Sequence, residues 1–397
     1  MDRVLVVPSS DYIGHPFPQR LNHIFERINT RGSFEVHVLR FNLFGKTQLH
    51  SDAVVHEPRD LKLRPLPLYY LANMMLHASA IRRIVRDERI DVVLLSNLSP
   101  CFAYKILQDA AIPCLFDLPD FFPVSAAGYV IASSSVAGKV VSFGLESMLR
   151  IILEGCRRTT VASSALLSYV RHLGVRDAVY LPNGVGDEFL TVANGEDVRE
   201  RFRVSKGEIL FAYVGSLAFW INMTPVLDAL AMARRRGMKV RFMVVGGNLH
   251  NDYVSMLRGM VTQRGLDDIV FFTGFVPYQD VPRYIAAADL CILPHDVHNP
   301  TGYYAGPNKI WEYLSQKKPV LAHPIAEALT YSDVLEIVSD AESYLHVLES
   351  FCRGPEPFQE KAAKGREIAM KMTWDSSAKM MEASLRDVID SPTSGMS

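Results

Sequence analysis

The sequence predicts an α/β chain of two doubly wound, Rossmann-like domains facing a cleft. Short apolar runs recur with helical stretches between most of them: RVLVVP, FEVHVLRF, DVVLLS, PCLFD, RTTVAS and AVYLP, then ILFAYVGSL, VRFMVVGG, IVFFTGF, DLCILP and PVLAH. Such alternation marks parallel sheets with crossover helices, and continuous apolar runs mean strands buried on both faces. Length is the second observation, because 397 residues exceed one ordinary core. The segment LPNGV, with Gly184, closes the first series, so the expected domains are residues 1–185 and 186–373. Ligands of such sheets bind outside the carboxyl ends of the strands, which places both sets of strand-end loops on the cleft.

Composition narrows the function. Hydrophobic residues make up 49% and charged residues 21%, the balance of a globular chain. A net charge of -1 and the lack of a basic arm exclude a general nucleic-acid binder. Cys101, Cys114, Cys156, Cys291 and Cys352 form no C-x-x-C pair. They read as reduced thiols of a cytoplasmic protein, neither a disulfide frame nor a metal site. The N-terminus enters a strand at once, so no signal peptide is expected. The longest oily stretch, Tyr129 to Leu153, is broken by Lys139 and Glu146 and does not span a bilayer.

Val4 to Val7 form the first buried strand, followed by the loop PSSDYIGHPFPQR and a helix beginning near Gln19. Gly14 in the loop and Arg20 in the helix's first turn are the candidate contacts to whatever binds above the strand ends. Two segments depart from the α/β rhythm. Residues 61–86 join a Leu/Met/Tyr-rich face to Lys62, Arg64, Arg82, Arg83 and Arg86, and residues 129–158 are oily with Lys139, Arg150, Arg157 and Arg158. Helices of this kind either pack on the sheet with their charged ends in water or lie on an anionic membrane surface. The second reading makes the protein a peripheral one on the inner face of the membrane, with a lipid-carried acceptor.

The second half carries the clearer chemistry. Gly215 ends AYVGSL, followed by Ser216, and Gly246 ends MVVGGN, each letting backbone come close to a ligand. Neither belongs to G-x-G-x-x-G or to G-x-x-x-x-G-K-[ST], so the ordinary dinucleotide and P-loop readings lack their fingerprint. Phe275 and Val276, at the end of a further strand, are placed to cover a nucleobase. The centre is GPNKIWEYLSQKKPV. Gly306 and Pro307 stand where a helix starts, Asn308 and Lys309 fall in its first turn, and Glu312 lies three residues beyond Lys309 on the same face. A helix start with a cation fits a diphosphate, and a carboxylate one turn deeper fits the hydroxyls of a ribose.

These segments together resemble the GT-B fold glycosyltransferases, and the chain is similar to their large retaining family 4. VFFTGFVPYQDVPRYIAAADLCILP resembles the nucleobase loop, helix and strand of that family, and WEYLSQKKPVLA its E-x-x-x-x-x-K-P-V segment. LPNGVGDEF resembles the entry into the second domain, and ESMLRIILEGCRRTTVASSAL the segment before it. MTWDSSAKMMEASL resembles the terminal helix, implying that residues 374–397 cross back onto the first domain. The resemblance assigns Glu312 to the donor's ribose, the backbone of Gly306 to Lys309 to the diphosphate, and Gly215 to the close approach beneath it.

Departures from the family pattern are specific. Tyr304 stands where the first of two paired glutamates would fall, Ser216 and Ile221 where two diphosphate cations would, and Phe116-Asp117 where a His-Asp pair would. Lys309 is the candidate to supply the missing charge to the leaving group. Asp117 and Asp120 are the candidate acids for the acceptor. The reaction this implies is retaining transfer from a nucleotide-sugar donor to a glycan or lipid-linked hydroxyl, in polysaccharide or lipid-linked glycan assembly, with no metal or other cofactor. Alternatives on the same fold are a nucleotide-sugar epimerase, a sugar phosphorylase, and a non-catalytic partner subunit or sensor. A plain lipid-surface binding protein is a further alternative, which leaves the second domain unexplained.

Overall fold

The computed structural model describes residues 1–15, 17–63, 66–98, 103, 107, 111–123, 136–248 and 252–391. The chain forms two compact units: residues 1–183 together with the chain from Trp374 onward, and Gly184–Thr373.

In the first unit the strands β1 (Arg3–Val7), β2 (Glu35–Leu39), β3 (Val54–His56), β4 (Val92–Leu95), β5 (Cys114–Leu118), β6 (Arg158–Val161) and β7 (Ala178–Tyr180) form a parallel sheet in the order β3-β2-β1-β4-β5-β6-β7. Helix α1 (Arg20–Thr30) begins where Asn22 reaches back to accept the Gln19 N–H at 2.8 Å. Its Leu21, Ile24, Phe25 and Ile28 recur at helical spacing and enter the core beneath β1 and β2. The C-terminal helix, Trp374–Asp390, packs on α1 through Trp374, Ala378, Met381, Leu385 and Val388, again one face. Trp374 stacks on His23 with ring centroids 4.7 Å apart. Cys114 and Cys156, 42 residues apart in sequence, bring their sulfurs to 3.2 Å.

Helices α2 (Leu66–Asp87) and α3 (Val136–Gly155) correspond to the two oily segments. Residues 64–65 and 129–135 of those segments lie outside the described residues. Leu68, Leu71, Met75 and Leu76 of α2 are exposed, as are Val140, Val141, Phe143 and Ile151 of α3. Neither helix dissolves all of its apolar face in the core. No helix of the described residues is long and apolar enough to cross a membrane.

The second unit holds β8 (Ile209–Val214), β9 (Val240–Val245), β10 (Val270–Gly274), β11 (Leu290–Leu293), β12 (Val320–Ala322) and β13 (Glu336–Ile337), parallel in the order β10-β9-β8-β11-β12-β13. Alternate residues feed opposite cores: Leu210, Ala212 and Val214 face one cluster, Ile209, Phe211 and Tyr213 the other. Two covered faces are why the strand sequence reads as an unbroken apolar run. Strand order reverses between β8 and β11, the position where sheets of this class open a crevice at their carboxyl ends.

Candidate functional site

The loops following β8, β9, β10 and β11 gather most of the residues picked out from the second half of the sequence. The helix Asn308–Ser315 starts beside them after Pro307, whose side chain offers no acceptor to the first-turn N–H groups. Its amphipathic sequence buries Ile310, Trp311, Tyr313 and Leu314 in the core, which holds the helix and aims Lys309 along the sheet's carboxyl edge. The Tyr313 hydroxyl donates to the Val214 carbonyl at 3.2 Å and accepts the Val214 N–H at 2.9 Å, pinning the helix to the end of β8.

Lys309 lies against Gly215. A Cβ added at Gly215 would meet Lys309 Cε at 2.0 Å and Nζ at 2.6 Å, and Gly215 itself sits at φ +143°. Any other side chain there would displace the lysine and strain the backbone. Gly246, at φ +119°, allows the carbonyl of Gly215 the same close approach, 2.1 Å from the position of an added Cβ. Burial pulls the Lys309 ammonium below its ordinary pKa, and Glu312 offsets part of this through space. Among the described residues the ammonium has no carboxylate at ion-pairing distance; it stands 5.9 Å from the centre of the Tyr213 ring. A cation held partly out of water at a helix start is chemically suited to an anion.

Glu312, 8% exposed, lies one turn along the helix. Burial raises its pKa, opposed by Lys309 and by the Tyr278 hydroxyl, which approaches Oε1 at 3.5 Å, while Glu188 adds to the rise. Tyr278 and Glu188 lie inside two of the quoted segments but were not singled out there, and the fold brings them toward Glu312 from 34 residues upstream and from the entry to the unit. Phe275 is 58% exposed at the end of β10, with its ring 3.0 Å from where a Cβ on Gly247 would stand; Val276 beside it is half-buried. Ser216 is also half-buried, its carbonyl accepting from the Tyr213 hydroxyl at 2.6 Å. Ile221, the other position of a customary cation, is core.

The first-unit candidates divide. Arg20 does not reach outward as its place in the helix implied: it is buried, and its guanidinium donates to both oxygens of Asp117 at 3.1 Å, to the Leu181 carbonyl at 2.7 Å and to Asn183 Oδ1 at 2.7 Å. Asp117 is fully buried and also accepts from the Thr160 hydroxyl at 2.7 Å, so it presents no open oxygen to a second molecule. Gly14 owes its identity to Asp11, whose carboxylate accepts the Gly14 N–H at 2.8 Å and passes 2.1 Å from the position of an added Cβ. Asp120 differs from these. Its side chain reaches solvent while protein crowds around it, and that desolvation raises its pKa, with Arg20 acting downward and Asp117 upward.

Comparison with known proteins bears on both units. Residues 208–347 match the family model described as glycosyl transferases group 1. Alpha-D-kanosaminyltransferase of Streptomyces kanamyceticus is 28% identical over 152 residues, 38% of this chain and 36% of that protein. The 2-deoxystreptamine glucosyltransferase of the same organism is 28% identical over 111 residues, 28% of each chain. The matched stretches thus span about a third of these relatives' length. Across nearly the full length, the fold is that of sucrose-phosphate synthase from Thermosynechococcus elongatus (TM-score 0.77, 16% identity, 98% of this chain and 99% of that one). It is equally that of HepE from Anabaena (TM-score 0.73, 18% identity, 97% and 100%). Residues 208–347 are thus similar to the group 1 glycosyl transferases, and the chain as a whole has the fold of these two solved structures.

Proposed function

We propose that the protein transfers a sugar, with retention of anomeric configuration, from a nucleotide-sugar to a hydroxyl of a glycan or lipid-linked acceptor. The observation that carries this reading is the unpaired Lys309 ammonium at the start of the helix Asn308–Ser315, seated on Gly215 at the strand-order reversal. The diphosphate lies against this helix start, with the ribose toward Glu312 and the base toward Phe275 and Val276. HepE was solved in complex with UDP and with UDP-glucose, which supports a nucleotide-sugar as the donor here. As the glycosidic bond breaks, charge grows on the leaving diphosphate, and a fixed cation and helix end aimed at it lower the barrier. Asp120 is the acid on the acceptor side, its raised pKa bringing it nearer the range of a general base. Asp117 and Arg20 hold the loop from which Asp120 projects.

Incubation with radiolabelled UDP-, GDP- and dTDP-sugars tests the reading. Slow release of the nucleoside diphosphate from one of them is the expected result, and a 2-epimer product or no turnover of any contradicts it. Glu312→Ala is expected to weaken binding of that donor by ten- to a hundredfold, since hydrogen bonds to a charged group contribute about 1.5 to 3 kcal/mol. Isothermal titration checks this, and an unchanged Kd removes Glu312 from the ribose.

The same proposal places the first unit against an anionic membrane surface on the cytoplasmic side. The exposed apolar residues of α2 and α3 lie on helices that also carry exposed Arg82, Arg83, Lys139 and Arg150. Co-sedimentation with vesicles containing phosphatidylglycerol is expected to exceed that with neutral vesicles several-fold and to fall at high salt. Equal binding to both vesicle types contradicts the placement.

A further inference from the structure

Strand β8 has unequal neighbours. Its pairing with β9 runs from Ile209 opposite Val240 to Val214 opposite Val245, whereas its pairing with β11 stops at Ala212 opposite Cys291. From there β11 continues beside β12, as far as Leu293 opposite Ala322. The parting leaves the carboxyl end of β8 without β11 beside it, at the strand-order reversal where sheets of this class open a crevice. Buried backbone groups need partners, and both groups of Val214 find theirs in one atom. The Tyr313 hydroxyl accepts the Val214 N–H at 2.9 Å and donates to the Val214 carbonyl at 3.2 Å. A phenol can do both because it carries one donor and two lone pairs, and burial keeps it protonated. One hydroxyl thus replaces the departed strand at this residue.

The rest of the turn around Gly215 is fixed from within the sheet. The Gly215 N–H donates to the Val245 carbonyl at 2.8 Å, the Leu217 N–H to the Gly247 carbonyl at 3.1 Å, and the Tyr213 hydroxyl to the Ser216 carbonyl at 2.6 Å. The bonds from Tyr313 come instead from the helix that carries Lys309. Tyr313 and Lys309 are four residues apart, one turn along the same helical face. Tyr313 meets Val214, and Lys309 lies on Gly215, the next residue. We propose that Tyr313 is a positioning residue for sugar transfer: its hydroxyl sets the end of β8 against the helix Asn308–Ser315 and so holds Lys309 in place over Gly215. The proposal rests on the nucleotide-sugar reading above. Tyr313 is fully buried and touches no substrate; it acts through Lys309, whose effect on a leaving diphosphate depends on being in place before charge develops there.

Tyr313→Phe keeps the ring in the core and removes the hydroxyl. With whichever of the UDP-, GDP- and dTDP-sugars is turned over, its kcat is expected to fall about tenfold while the donor KM stays within about twofold. In a Lys309→Met background the same change is expected to alter kcat by less than about twofold, because the group it positions is gone. An unchanged kcat in the wild-type background overturns the proposal. So does a tenfold loss in both backgrounds, which is what a general folding defect or an independent role would give. Hydrogen exchange supplies a readout that needs no turnover: in the unliganded variant the Val214 amide is expected to exchange at least about tenfold faster, with the Phe211 amide unchanged. Equal acceleration of both amides would make the hydroxyl a support of the whole unit and contradict the positioning role. If no nucleotide-sugar is turned over by the wild-type protein, the donor reading fails first and this role with it.

Discussion

Lys309→Met is expected to make the unliganded protein more stable and its sugar transfer about a hundred- to a thousandfold slower. The two effects have one cause. The ammonium is held partly out of water, burial lowers its pKa, and no carboxylate among the described residues pairs with it. A charge so placed is a cost to the fold, and methionine keeps the stem against Gly215 while removing that cost. The same charge sits in the first turn of the helix Asn308–Ser315, where diphosphate charge would develop. Loss of one preorganised donor to a developing anion lowers turnover by about 10² to 10³. Donor affinity should fall less, because the interaction strengthens as the bond breaks. Thermal denaturation and steady-state kinetics of the variant check both signs. A less stable variant with unchanged turnover would show Lys309 to be a packing residue.

Arg20→Met is expected to destabilise the first unit by about 3 to 5 kcal/mol, the cost of leaving one member of a buried ion pair alone. Arg20 satisfies both oxygens of Asp117, the Leu181 carbonyl and Asn183 at once, so its removal strands a buried carboxylate and a buried carbonyl together. Against a total stability of about 5 to 15 kcal/mol this is a large fraction. Asp117→Asn should behave alike, with a smaller loss because shape and the Thr160 contact survive. Urea unfolding measures the effect. The experiment also separates two roles for Asp117: a structural anchor loses stability on substitution, whereas a catalytic base loses turnover with stability intact.

The sequence revealed more of the second unit than of the first. Strands buried on both faces announce themselves as apolar runs, and the eleven runs singled out each contain a strand of the structure. The edge strands Val54–His56 and Glu336–Ile337 went unread because three and two partly exposed residues make no run. Lys309 and Glu312 were legible because one helix carries both, and helical spacing alone puts them on a face. Arg20 and Asp117 lie 97 residues apart, and nothing local to either shows that they meet. The close approach of Cys114 and Cys156 was hidden in the same way. Gly14 was read as a contact to whatever binds above the strand ends, and what comes close to it in the fold is Asp11.

The most direct test of the account is a crystal structure with whichever of UDP, GDP or dTDP binds tightest. The diphosphate is expected within hydrogen-bond distance of Lys309 Nζ and of the first-turn N–H groups after Pro307, with the ribose on Glu312. A nucleotide bound elsewhere, or one seated here while Lys309 remains packed on Gly215 without touching phosphate, would contradict it.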